Sequence, residues 1–380
     1  MKVYFDNAAT TPLDAEVLDA MIPVLRNEFG NPSSTHAHGR SVRTLIEDAR
    51  KRVAKIVNVT PSEIFFTSGG TEADNMALRC AAVDLGITHI ITSPIEHHAV
   101  LHTVEELAHK GKIEMHLVNI MPDGHIDYAH LEQLMAAYPG ALVSLMYANN
   151  EIGNLLNVEL VSALCKQYSC YFHCDTVQAV GHYPIDLQKT TIHFIACAAH
   201  KFNGPKGVGF IYINNSLKIK PFITGGAQER NMRGGTENVY GIVGLAKALE
   251  IAVRDMDKEI EHITELRSYM MQRLIEEIPD VKFNGDVNGQ SLYTVLNVSF
   301  PPSRVSEMML FRLDMEGISA SGGSACSSGS DVGSHVLNTL KVDPSRANVR
   351  FSFGKQNTKE EVDFVVEKVK EMMGIAEPVN

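Results

Sequence analysis

The sequence predicts an α/β protein, with a large domain around a mainly parallel seven-stranded sheet and a smaller α/β domain beside it. Two observations carry this. Between about residues 42 and 217, short β-branched runs alternate with segments of helical period, the pattern of a parallel sheet covered by helices. A length of 380 residues also exceeds what one hydrophobic core usually serves, which favours two domains.

The expected strands of the large sheet lie at 64–67, 89–92, 113–118, 142–147, 171–174, 192–196 and 208–213, with helices near 71–83, 131–137 and 158–167. Val42, Leu45, Ile46, Ala49, Val53, Ile56 and Val57 recur at helical spacing with Arg and Lys between them, one amphipathic helix. From 241 to 277 no proline interrupts an Ala-, Glu-, Leu- and Met-rich helical pattern, which reads as a bridge to the second lobe. That lobe is expected to hold strands near 292–300, 318–321 and 348–353 and helices near 306–315 and 358–373. The resulting division assigns 14–255 to the large domain, and 1–13 with 256–380 to the small one. Residues 319–334 are dense in Gly and Ser and read as a loop.

Composition excludes several classes. Apolar residues make up 44% and charged residues 21%, the balance of a globular and not a disordered chain. A net charge of −11 and the lack of a basic run argue against a nucleic-acid partner. No window approaches the roughly 18 uncharged apolar residues of a membrane span, and no apolar leader opens the chain, so a cytoplasmic protein is expected. Six cysteines then read as reduced thiols. Cys165, Cys170, His173 and Cys174 lack the spacing of a metal knuckle. Packing is the expected role of the first, second and fourth, as of Cys80 and Cys197, and no metal is expected.

Four segments place chemistry-bearing residues at strand ends. Ala199-His-Lys-Phe-Asn-Gly-Pro-Lys-Gly-Val-Gly sets Lys201 after a buried strand, where desolvation favours the free amine that forms a Schiff base. A lysine snorkelling from a surface turn fits equally. Tyr171-Phe-His-Cys-Asp-Thr-Val-Gln-Ala-Val-Gly sets Asp175 past an apolar strand, facing a cation such as a protonated pyridine nitrogen, or capping a helix. Phe65-Phe-Thr-Ser-Gly-Gly-Thr-Glu-Ala-Asp-Asn runs strand, turn, helix, so the N–H groups of Gly70 and Thr71 make either a phosphate cup or a capped helix start. It matches neither dinucleotide nor P-loop fingerprints. Ile95-Glu-His-His-Ala-Val puts His97 and His98 at one strand end, pointing apart, so one at most faces a ligand as a flat stacking or proton-exchanging ring.

Together with Phe5-Asp-Asn-Ala-Ala-Thr-Thr-Pro, Gly30-Asn-Pro-Ser-Ser, Tyr147-Ala-Asn-Asn-Glu-Ile-Gly, Gln228-Glu-Arg, Arg233-Gly-Gly-Thr-Glu-Asn, Ser324-Ala-Cys-Ser-Ser-Gly-Ser and Arg350-Phe-Ser, these segments resemble the class V aminotransferase family. Within it they are similar to the cysteine desulfurases of the NifS/IscS type, from residue 3 to about 355. The resemblance implies fold type I of the pyridoxal-phosphate-dependent transferases and a homodimer. It implies that Lys201 carries pyridoxal 5′-phosphate, Asp175 pairs with the pyridine nitrogen, Gln178 bonds the phenolic oxygen and His97 stacks on the ring. Gly70, Thr71 and His200 would bind phosphate, with Thr236 reaching across from the second subunit, and Asn150 and Arg350 would clamp the substrate carboxylate. One departure stands out: Ala198 replaces a common phosphate-binding serine, a lost bond worth about 1.5–3 kcal/mol.

The cofactor is an electron sink that serves transamination, elimination or decarboxylation equally, so another residue must select the reaction. Cys326, in the Gly/Ser-rich loop, would attack the sulfur of L-cysteine as a thiolate, leaving a persulfide and L-alanine, with Lys201 moving the Cα proton and His97 relaying protons. The sulfur would pass to an acceptor protein such as an iron–sulfur scaffold. A selenocysteine lyase, an aminotransferase or a non-catalytic scaffold are the alternative readings.

Overall fold

The computed structural model describes residues 1–323 and 333–375. In chain order it runs β1 (Val3–Tyr4), α1 (Ala15–Asn27), α2 (Ala37–Ile56), β2 (Ile64–Thr67), α3 (Gly70–Asp84), β3 (His89–Thr92), α4 (His98–His109) and β4 (Glu114–Leu117). There follow α5 (Tyr128–Ala137), β5 (Leu142–Met146), α6 (Val158–Gln167), β6 (Tyr171–Asp175), β7 (Phe194–Ala198), β8 (Gly209–Ile213), the short α7 (Gln228–Asn231) and the long α8 (Val239–Glu277). The chain closes with β9 (Lys282–Asn284), β10 (Val295–Phe300), α9 (Met309–Met315), β11 (Ile318–Ser319), α10 (His335–Thr339), β12 (Ala347–Ser352) and α11 (Lys359–Met373).

The seven expected strands form one sheet in the order β2-β8-β7-β6-β5-β3-β4. Only β8 runs against its neighbours β2 and β7; the other pairings are parallel. Helices cover both faces, so β2, β5, β7 and β8 are buried throughout, which is why they read as continuous apolar runs without alternation. A second core gathers Ile263, Leu266, Met270 and Leu274 of α8 with β10, β12 and α11, while Ile242, Leu245 and Leu249 at the other end of α8 belong to the large core. One uninterrupted helix therefore enters both cores. The small sheet is antiparallel, in the order β12-β10-β9, and β1 pairs in parallel with β11, which returns the amino-terminal strand to the second lobe.

Several local expectations change. His97 and His98 do not sit on a strand end: His97 caps α4, its ring accepting from Ala99 N, and His98 opens the helix. The buried Val100, Thr103, Val104 and Leu107 explain α4, since they fall at helical spacing on one face. Helix α1 went unread because Pro23 interrupts its pattern, yet Asp14 caps it and Val17, Met21 and Val24 are buried. The strand expected at 192–196 starts two residues later, so Ala198 is its last residue and Lys201 ends the single 3₁₀ turn that follows. The helix expected at 306–315 begins as a 3₁₀ turn at Ser306–Met308 before α9. Within the Gln228-Glu-Arg motif, Glu229 and Arg230 adopt positive φ, a cost offset where buried Glu229 receives a two-pronged ion pair from Arg50 at 2.7 and 2.9 Å.

Candidate active site

The carboxyl ends of the central strands surround a cavity of about 200 Å³, the place where open α/β sheets bind ligands. Gly70, Thr71, His97, Asn150, Asp175, Gln178, His200, Lys201 and Arg350 all line it. Strand β6 delivers Asp175, the turn after β7 delivers His200 and Lys201, and the start of α3 delivers Gly70 and Thr71. Two expected residues are not among them. Thr236 lines a neighbouring pocket with Ser68, Gly207 and Arg233. Cys326 lies outside the described residues.

Backbone chemistry opens the α3 end of the cavity to an anion. Gly69, at φ 153°, precedes the helix in a conformation that favours glycine, and no side chain caps the first turn. A Cβ on Gly70 would come within 2.6 Å of Val177 Cγ2, so only glycine permits this approach of the helix to the β6 turn. The first-turn N–H groups and the positive end of the helix dipole thus face the cavity. Buried Ala198 lines it nearby and offers no side-chain donor.

Across the cavity, Lys201 Nζ donates to the carbonyls of Ala8 (2.6 Å) and Ala9 (3.0 Å), and Gln178 Nε2 donates to Ala8 O at 3.0 Å. The Asp6-Asn-Ala-Ala segment is thereby tied to the turn that carries the lysine. His200 faces Thr10 Oγ1 across 3.2 Å, and burial, then the charges of Lys201 and Lys206, push its ring down to about 4. Asp175 accepts from Val177 N at 2.9 Å as well as lining the cavity, so it serves its own turn and faces the ligand space together. His97 is held neutral, pushed down to about 4 by burial first and then by Lys201, His335 and His102. Its Nδ1 accepts from Ala99 N at 3.1 Å, so the ring proton is on Nε2.

Asp74 also lines the cavity, and it opens onto a buried polar cluster with little sequence signal. Asp74, on the buried face of α3, lies 3.3 Å from His173 Nε2, and His173 Nδ1 is 2.8 Å from Ser144 Oγ. Burial raises the carboxyls of both Asp74 and Asp175, and the charges of Asp175 and Glu96 raise Asp74 further. Glu96 is pushed up to about 8 by burial, with Asp175 adding to it, although Ser93 Oγ and Met146 N both donate to it. So many neighbouring carboxyls keep protons among themselves near neutral pH. Asp74 could have been noticed as a carboxylate on the apolar stripe of α3. His173 could not, since burial of β6 on both faces erases alternation, and Glu96 could not, since it sits in the turn between β3 and α4, where no period applies.

Arg350 is 1% exposed and donates to Asp6 Oδ1 and to Asn150 O, each at 2.8 Å, while its Nε has no partner among the described residues. A buried guanidinium with a spare N–H at a cavity wall fits a carboxylate guest. The flanks of the undescribed segment that carries Cys326 are anchored at this wall. Ser321 exchanges backbone hydrogen bonds with Arg350 and donates to Asp6, and Ser334 donates to Glu151. His335 Nε2 is 2.9 Å from the Glu96 carbonyl.

The chain matches the model of the family described as aminotransferase class-V over residues 3–365. It belongs to the class-V aminotransferase family. Among curated relatives, the cysteine desulfurase IscS of Dictyoglomus turgidum is 44% identical over 99% of this chain and 96% of its own. Among solved structures, a NifS-like protein superposes with a TM-score of 0.91 at 39% identity, covering 99% of this chain and all of that one. SspA in complex with cysteine superposes with a TM-score of 0.81 at 30% identity, over 94% of this chain and all of its own. This family membership agrees with the fold type I architecture described above: a large mixed, mostly parallel sheet joined to a smaller lobe.

Proposed function

We infer that the protein is a cysteine desulfurase, converting L-cysteine to L-alanine while one of its own cysteines takes the sulfur as a persulfide for an acceptor protein such as an iron–sulfur scaffold. The observation that carries this reading is the meeting of Lys201, Asp175, His97 and Arg350 on one cavity, in a chain whose full-length relatives are named cysteine desulfurases. The structural neighbour in complex with cysteine supports the substrate.

The lining fits pyridoxal 5′-phosphate, because it holds an uncapped helix start for an anion, buried carboxyls for a ring nitrogen and an amine. Lys201 would hold it, Asp175, Gln178 and His97 would orient the ring, and Gly70, Thr71 and His200 would hold the phosphate, with Thr236 from a second copy in a homodimer. Bound there, the cofactor supplies an electron sink that weakens bonds at the substrate's Cα and Cβ. Arg350 and Asn150 hold the substrate carboxylate, which aims Cα at the Lys201 amine. Lys201 moves the Cα proton, and neutral His97, with its proton on Nε2, relays protons. The thiolate of Cys326 attacks the substrate sulfur: an S–S bond forms, the Cβ–S bond breaks, and the carbon keeps the electron pair and takes a proton to give alanine.

Cys326 is favoured by the state of its rivals. Of six cysteines, the five described are all buried, and burial raises each thiol, that of Cys80 to about 12. A thiol must ionise to attack, so none of those five suits the step. Free cysteines, and no helix among the described residues long and apolar enough to cross a membrane, support a cytoplasmic setting. We assign residues 14–255 to the cofactor-binding domain, and 1–13 with 256–380 to the domain that brings Cys326. The test is incubation of cofactor-loaded protein with L-cysteine: alanine, and a one-sulfur mass gain on the peptide containing Cys326, are expected. Cys326→Ala should abolish that gain and keep the visible absorbance. Pyruvate and ammonia without persulfide would overturn the reading.

A further inference from the structure

The edge of the large sheet carries a second cluster of ligating side chains, none of which lines the cavity. β4 ends the sheet, and it pairs in parallel with β3 so that His89 lies opposite Glu114 and Ile91 opposite His116. Side chains alternate along a strand, so Glu114 and His116 project from one face, and His89 shares that face across the ladder. His89 Nδ1 is 3.1 Å from His116 Nε2 and 3.7 Å from Glu114 Oε2. One ligand atom from each of the three lies within 4.8 Å of the others. Tyr138, at the end of α5, lies against both rings, with centroids 3.9 Å from His116 and 4.6 Å from His89, and so holds their planes with the nitrogens facing.

We propose that His89, Glu114 and His116 form a binding site for a zinc-class divalent cation that clips the edge strand to its neighbour. Nitrogen ligands at about 2.0–2.1 Å in a tetrahedron stand about 3.3–3.4 Å apart. The observed 3.1 and 3.7 Å fall on either side of that spacing, so the ion replaces the proton shared by the two rings with little movement. Two imidazoles and one carboxylate select Zn²⁺ over the hard cations Mg²⁺ and Ca²⁺, and three protein ligands leave a position for water. The Glu114 side chain is 72% exposed, so ordering it on binding lowers the affinity below that of a buried four-ligand site. The gain falls where the sheet needs it, because an edge strand is hydrogen-bonded on one side only. The sequence reading expects no metal anywhere in the chain, and this triad leaves no local signal there, since its members come from two strands separated by α4.

The experiment uses cofactor-loaded protein carrying Cys326→Ser, so that the loop thiol cannot take the metal, stripped with a chelator and titrated with Zn²⁺ by calorimetry. One ion per chain is expected, with His116→Gln and Glu114→Gln each weakening it by about tenfold or more. Zn²⁺ should raise the melting temperature of the parent and not of His116→Gln, while the metal-free melting of the two should agree. In the Cys326 background, His116→Gln should leave alanine formation unchanged. No saturable Zn²⁺ binding, binding untouched by both His116→Gln and His89→Gln, or binding lost only with Asp74→Asn at the cavity would each overturn the proposal.

Discussion

Replacing Arg350 by Gln removes a guanidinium that serves stability and substrate binding together, and the structure lets the two be separated. In the fold it pairs with Asp6 and bonds the Asn150 carbonyl, each at 2.8 Å. Asp6 keeps a second donor in Ser321 Oγ at 2.8 Å, and its side chain is 19% exposed, so the abandoned carboxylate stays partly solvated. The expected loss of stability is therefore about 2–3 kcal/mol, below the 3–5 kcal/mol of breaking a fully buried pair. For the substrate, losing a charged hydrogen bond to the carboxylate costs about 1.5–3 kcal/mol, a rise in KM for L-cysteine of about 10- to 150-fold. Asp6→Asn is the control, since it breaks the same ion pair and keeps the guanidinium: melting should fall while KM stays within about threefold. Alanine formation at varied L-cysteine, paired with thermal melting, reads both quantities. If Arg350→Gln lowers the melting temperature and leaves KM unchanged, Arg350 is structural and the carboxylate assignment is wrong.

Lys201→Ala should lower kcat by about 10²- to 10⁴-fold, the usual worth of a positioned proton-transfer group. Borohydride reduction of the cofactor-loaded parent should label Lys201; an unlabelled lysine would remove the basis of the proposed function. Glu96 offers a pH test. Its folded-state value is raised from 4.5 to about 8, so its contribution to stability is whole below about 4.5 and is lost as pH rises through 8. Glu96→Gln, a neutral replacement, should therefore exceed the parent in stability by on the order of 1–3 kcal/mol near pH 8, with the gap closing toward pH 5. Urea unfolding at several pH values checks this, and a gap independent of pH would show that Glu96 does not carry the proton.

Most of the architecture could be read along the chain because helices and strands leave local signatures. Seven short runs expected as strands became the seven strands of one sheet, and the unbroken helical period from 241 became α8. Misreadings arose where a local cue pointed the wrong way. Pro23 concealed α1, and the adjacent histidines after β3 looked like a strand end when their neighbours were opening α4.

By itself the sequence determined the α/β class and the number of strands in the large sheet, since periodicity and turn chemistry are written in consecutive positions. Only the tertiary structure decided that β8 runs antiparallel between β2 and β7, and that Asp6 braces Arg350. It also decided that Asp74, His173 and Glu96 share one desolvated cluster, and that two strands bring His89, Glu114 and His116 together. The reason is physical: burial, charge coupling and cross-strand distance depend on which segments become neighbours in space, and no local period encodes that choice.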